Sequence, residues 1–73
     1  MQKIVEELRT EIAAALEVAP EQVDPDVDLT DQGLDSVRLM GLMGRIQDAG
    51  HSVDYADLAD DPRLAAWDRL LGA

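Results

Sequence analysis

Residues 31–44 read DQGLDSVRLMGLMG, and everything else in the chain is organised by how this stretch folds. Gly33 supplies permissive backbone just ahead of a new element. Asp35 is a helix cap, so a helix is expected to begin at Asp35 or Ser36 and run to about Ala49, with Gly50 as its stop. Val37, Met40, Met43 or Gly44, and Ile46 or Gln47 mark successive turns of it. Leu39 and Leu42 widen this stripe beyond what one core contact needs, and Arg38 and Arg45 sit among the apolar residues. The surplus points to a surface that faces a partner.

Outward from that helix, Ile4, Val5, Leu8, Ile12 and Leu16 recur in steps of three and four over Lys3 to Glu17. They form one stripe of an amphipathic helix, with Glu6, Glu7, Arg9 and Glu11 on its other face. A helix this short is marginal alone and must pack on something. From Val18 to Leu34 the periodicity disappears. Pro20 opens a short turn at PEQV, and Val23, Val27 and Leu29 are expected to peg an unusually long loop to the core. Beyond the central helix, VDYADLAD offers Asp54 as a cap with Tyr55 and Leu58 buried, enough for one or two turns. In DDPRLAAWDRLL, Asp61 is read as N-cap and Pro62 as first helical residue, with Leu64, Trp67, Leu70 and Leu71 facing the core. No segment alternates with period two. The expected fold is all-α: one domain over residues 1–73, a small bundle of three main helices plus one short helix.

The chain's 73 residues carry 16 acidic and 6 basic side chains, a formal charge of −10. Phosphate backbones would be repelled, so nucleic acid is excluded as a partner and proteins are expected. No cysteine is present, so neither a disulfide framework nor a thiolate metal site can form. The charged N-terminus MQKIVEELRT lacks the apolar core of a signal peptide, and no apolar run approaches membrane-spanning length. A cytoplasmic protein is expected. Nothing indicates a heptad seam, so a monomer is expected as well.

Chemistry is scarce. Asp24, Asp26 and Asp28 have the spacing that opens a calcium-binding loop, but Leu29 stands where glycine is needed and Asp35 where a bidentate glutamate is needed. His51 has no second histidine or cysteine within ligand spacing. Ser36 has no base that could make it a nucleophile, and no metal set or oxyanion arrangement can be assembled around it. An exposed serine at a helix start is instead an attachment point, because the first turn's free amides and the helix dipole stabilise an attached phosphate.

GLDSV, residues 33–37, with LDSVRLM around it and the helix, long loop, helix, short helix, helix order of the chain, resembles the acyl carrier protein superfamily. That resemblance implies a four-helix carrier fold and no catalysis by the chain itself. It implies 4'-phosphopantetheine, delivered from coenzyme A, on Ser36, with Asp35 capping the helix and orienting the transfer. The cofactor thiol would carry an acyl group as a thioester on a flexible arm. The second helix departs from the acidic one of fatty-acid carriers, and GLDSVRLM with YADLADDPRLAAWDRLL is most similar to aryl carrier domains of siderophore-type nonribosomal peptide assembly. The implied load is salicylate or 2,3-dihydroxybenzoate, and the implied partners are a phosphopantetheinyl transferase, an aryl-acid adenylating enzyme and a condensation domain. They would meet Val37, Met40 and Met43 by apolar contact and Arg38 and Arg45 by charge. A peptidyl or other acyl carrier remains open, as does an unmodified acidic interaction module.

Overall fold

A computed structural model describes residues 1–72; Ala73, the last residue of the expected 1–73 domain, lies outside them. Among the described residues four helices follow one another: α1 (Lys3–Leu16), α2 (Ser36–Asp48), α3 (Tyr55–Asp60) and α4 (Leu64–Gly72), with one 3-10 turn at Pro20–Gln22. No strand occurs among the described residues. Three longer helices and one short one therefore build the bundle, as the apolar spacing predicts.

α1 buries Val5, Leu8, Ile12 and Ala13 and packs Ile4 and Leu16 partly against the same core. It ends at Glu17, whose backbone is left-handed at φ 60°, and the Val18 N–H then reaches back to the Ala13 carbonyl at 3.0 Å. At its other end the Gln2 backbone N–H donates to Asp68 Oδ1 at 2.9 Å and its side-chain amide donates to the Asp68 carbonyl at 2.6 Å. These bonds tie the start of α1 to α4. Trp67 is fully buried in the centre, and its indole N–H is satisfied by the Leu58 carbonyl at 3.2 Å. The largest side chain of the core thus locks α4 onto α3.

The loop between α1 and α2 is long in sequence but closely tied. Val23 and Leu29 are fully buried. The Arg9 guanidinium donates from Nε to the Pro20 carbonyl at 2.8 Å and from Nη2 to that of Val23 at 2.9 Å. The Gln32 amide accepts from Asp24 N–H and donates to the Asp24 and Val27 carbonyls. Two backbone bonds then join the loop to α4's approach: Leu29 N–H to the Pro62 carbonyl and Ala65 N–H to the Pro25 carbonyl.

Four sequence expectations are corrected. Val27 is not a peg but lies exposed, since Val23 and Leu29 already fill the space under the loop. Tyr55 is 38% exposed and Leu70 42% exposed, because Leu58 alone carries the buried face of the six-residue α3 and Leu64, Trp67 and Leu71 that of α4. Asp61 does not cap α4. Its carboxylate is held by both Nε and Nη2 of Arg63 at 2.6 Å. The helix starts at Leu64, two residues later than Pro62, and the Pro62 carbonyl serves the loop instead.

Candidate functional site

Ser36 is the first residue of α2 and exposed, and its hydroxyl bonds to no other described residue. Its position is set by neighbours on both sides. Leu34, two residues before, and Leu39, three after, are buried anchors. Between Leu34 and the loop, Gly33 adopts φ 111°, a conformation side chains resist, while its N–H bonds to Thr30 and that of Leu34 to Leu29. A Cβ at Gly33 would also stand 3.4 Å from Leu16 of α1. Gln32, with its three side-chain bonds, clamps the segment that feeds this turn. Neither Gln32 nor Arg9 stands out in the sequence, because their partners are backbone carbonyls 5 to 14 residues away and carbonyls leave no signature in residue types.

A helix start leaves its first amides without intrahelical partners. Here Asp35, in extended conformation, accepts the Arg38 N–H at 2.8 Å. The amides of Ser36 and Val37 have no acceptor among the described residues. An exposed hydroxyl beside two free amides at the positive end of a helix dipole fits a phosphodiester, which needs surface access and donors for its charge.

The central helix shows two apolar faces. Leu39, Leu42 and Ile46 are buried, so the core takes the residues that looked like surplus in the sequence. The outward face holds Val37, 76% exposed, and Met40, 55% exposed. Met43 is half-buried and packs against the core, which leaves it less surface for a partner than Val37 or Met40. Arg38 is exposed, and its guanidinium has no partner among the described residues. Arg45 faces Glu11 of α1 at 3.5 Å, both side chains about half exposed. Between α1 and α2, a shallow groove of about 450 Å³ is lined by Ile12, Ala14, Ala15, Leu34, Gly41 and Leu42, with Glu11 and Arg38 at its rim.

No group of three or more potential metal ligands occurs among the described residues. Thr30 donates to Asp28 and holds its carboxyl below the ordinary range. Arg63 does the same for Asp61, and Gln2 for Asp68. His51 lines an open polar depression with Gln47, Ser52, Asp54 and Asp57.

Comparison with known proteins agrees with this geometry. Residues 6–71 match the family described as "Phosphopantetheine attachment site". Phenyloxazoline synthase MbtB of Mycobacterium tuberculosis is 43% identical over 66 residues, covering 90% of this chain and 5% of that protein. Isochorismatase of Bacillus subtilis is 39% identical over 66 residues, 90% of this chain and 21% of the relative. Enterobactin synthase component B of Escherichia coli is 41% identical over 64 residues, 88% and 22% respectively. The chain thus spans a small part of the length of the relatives it matches. With nearly all of its residues inside the family match and an unencumbered serine at a helix start, the chain belongs to the phosphopantetheine attachment site family and is a carrier domain for covalently held 4'-phosphopantetheine.

Proposed function

We propose that Ser36 is the residue that bears the prosthetic group and that the chain carries an aryl acid, of the salicylate or 2,3-dihydroxybenzoate type, for assembly of a nonribosomal peptide. The observation that carries the first part is the Ser36 hydroxyl, exposed, without a hydrogen-bond partner among the described residues, and placed by Gly33, Leu34 and the Asp35 cap at the N-terminus of α2. In attachment the Ser36 oxygen forms a bond to the phosphorus nearest pantetheine in coenzyme A. The adenosine bisphosphate half leaves, and the serine proton passes to a base on the transferase. The resulting phosphodiester is favoured by the helix dipole and the free Ser36 and Val37 amides by about 0.3–1 kcal/mol. When bound, the group supplies a thiol on a flexible arm, able to hold an acyl load as a thioester.

The aryl load is supported by the relatives' names: a phenyloxazoline synthase, an isochorismatase and a component of enterobactin synthase each contain a region similar to this chain. The exposed face of α2, apolar at Val37 and Met40 and cationic at Arg38 and Arg45, supports docking of the transferase, of an aryl-acid adenylating enzyme and of a condensation domain. A single carrier domain over residues 1–73, monomeric and cytoplasmic, completes the reading. Among the described residues no helix is long and apolar enough to cross a membrane.

The test is intact mass before and after incubation with coenzyme A and a broad-specificity phosphopantetheinyl transferase. The expected result is a gain of one phosphopantetheine, absent in Ser36→Ala; gain by the alanine variant would move the attachment elsewhere. Loading of the modified protein by adenylating enzymes for aryl acids and for amino acids then separates the aryl reading from a peptidyl one.

A further inference from the structure

The surface cavities differ in chemistry and in distance from Ser36. The depression at His51, Asp54 and Asp57 is polar and acidic, and Gln47 on its wall lies about 16 Å past Ser36 along the α2 axis. A smaller hollow of about 160 Å³ is bounded by the charged side chains of Glu6, Arg9 and Glu21. The groove of about 450 Å³ between α1 and α2 is apolar by contrast. Ile12, Leu34 and Leu42 form its floor and are all buried. Its walls are low, with Ala15 on α1 and Gly41 on α2, where an added Cβ would meet nothing within 4 Å. It also opens beside the attachment residue. Leu34 and Arg38 flank Ser36 on either side, and Leu42 follows it by about 9 Å along the helix axis. At the far end Glu11 pairs with Arg45 at 3.5 Å. At the near end stands Arg38, which forms no ion pair among the described residues.

We propose that the groove between α1 and α2 is a resting site for the aryl group carried by Ser36, with the ring on Ile12, Leu34 and Leu42 and Arg38 at its entrance. The inference rests on the attachment and aryl readings above. A flat ring fits between low walls over an apolar floor. The Arg38 guanidinium can donate to the thioester carbonyl and to a phenolic oxygen, or lie against the ring face. An aminoacyl load would bring an ammonium group to the same arginine and be repelled. The occupant is fixed by its tether. A group held by a short flexible arm is present at an effective concentration of about 1 mM, so a groove that binds it with a Kd of about 1 mM is filled half of the time. Ligand pockets enclose most of their ligand, whereas this groove is open along one side, which keeps its affinity in that weak range. Such occupancy shields the thioester from nucleophiles in the medium and still releases the ring readily to a partner enzyme.

The experiment gives the full chain an arm bearing salicylate as a stable amide, transferred from the corresponding coenzyme A analogue, and compares it with the chain bearing the bare arm and with one bearing an alanyl arm. Nuclear Overhauser contacts are expected from the ring protons to the methyls of Ile12, Ala15 and Leu42, and the alanyl arm is expected to make none there. A second measurement follows cleavage of the salicyl thioester by hydroxylamine. Ala15→Leu, which fills the groove from α1, and Arg38→Gln are each expected to be cleaved about twice as fast as the parent, the ratio for a site filled half of the time, with helical spectrum and melting temperature showing that both fold. The contacts in the parent need no variant. Ring contacts to the His51 depression or to Val37 and Met40 in place of the groove overturn the proposal, as do groove contacts made equally by the alanyl arm. Folded variants cleaved at the parent's rate overturn it as well. Intact mass separates this inference from the one beneath it: no gain of mass sinks the attachment reading and this one together, whereas a gain with unmoved groove signals sinks this one alone.

Discussion

Asp35 and Ser36 are neighbours with opposite duties, and truncating each to alanine separates them. Asp35 accepts the Arg38 N–H, so Asp35→Ala is expected to cost about 1 kcal/mol in a urea titration, the usual value of an N-cap, and to fray the turn that presents Ser36. The exposed Ser36 hydroxyl makes no hydrogen bond among the described residues, so Ser36→Ala is expected to leave stability within about 0.5 kcal/mol of the parent while abolishing modification. Arg9 belongs to the first kind. Its two bonds to the Pro20 and Val23 carbonyls hold the loop's entry against α1. Removing a charged donor of this type is expected to cost about 1.5–3 kcal/mol, which the same titration measures; a loss under about 0.5 kcal/mol would show that solvent replaces those bonds.

At the scale of the element, the junction between α3 and α4 departs most from its sequence reading. Asp-Pro before an apolar run reads as cap and first turn, but Arg63 sits two residues past Asp61 and takes both carboxylate oxygens. Its hydrogen bonds lower the Asp61 pKa, as Thr30 and Gln2 lower those of Asp28 and Asp68. A group whose folded pKa is depressed stabilises above its unfolded value and loses that contribution as pH falls through the folded one. These three carboxylates therefore contribute fully at neutral pH and progressively less below about pH 3.8, the ordinary aspartate value. Asp61→Asn and Asp68→Asn are expected to melt below the parent at pH 7 and to approach it as the pH falls below about 3.8; parallel melting curves at all pH values would refute the linkage. The same scale explains what was legible. The spans of α1 and α2, the Gly33 turn, the Asp35 cap and Ser36 at a helix start follow from local spacing and capping chemistry, which act over four residues or fewer. The phase of α2 does not, because apolar residues occur on both its faces, and only packing against the rest of the bundle sends Leu39 and Leu42 inward and leaves Val37 and Met40 out. Tyr55 and Leu70 stay exposed for a related reason: helices of six and nine residues each need fewer anchors than the sequence offers.

The whole molecule is small compared with the range of its own field. Its longest extent is 28 Å, below the Debye length of about 30 Å at 0.01 M salt and nearly three times the length of about 10 Å at 0.1 M. At low salt nearly every charge in a chain carrying −10 therefore acts on every other, and folding concentrates that repulsion into a body with a radius of gyration of 10.9 Å. Screening relieves the folded state more than the expanded one. The melting temperature is expected to rise with sodium chloride, most steeply between 0.01 and 0.1 M, and then to level off. The proposed docking through Arg38 should respond in the opposite sense, since an attraction between Arg38 and a partner carboxylate is screened by the same ions. One salt series, read for both melting temperature and the KM of modification, is expected to show stability rising while docking weakens. A melting temperature that does not change over that range would mean the 16 acidic side chains are already too dispersed over the surface to oppose folding. A KM that falls with salt would mean that the partner meets the acidic surface rather than the cationic edge of α2.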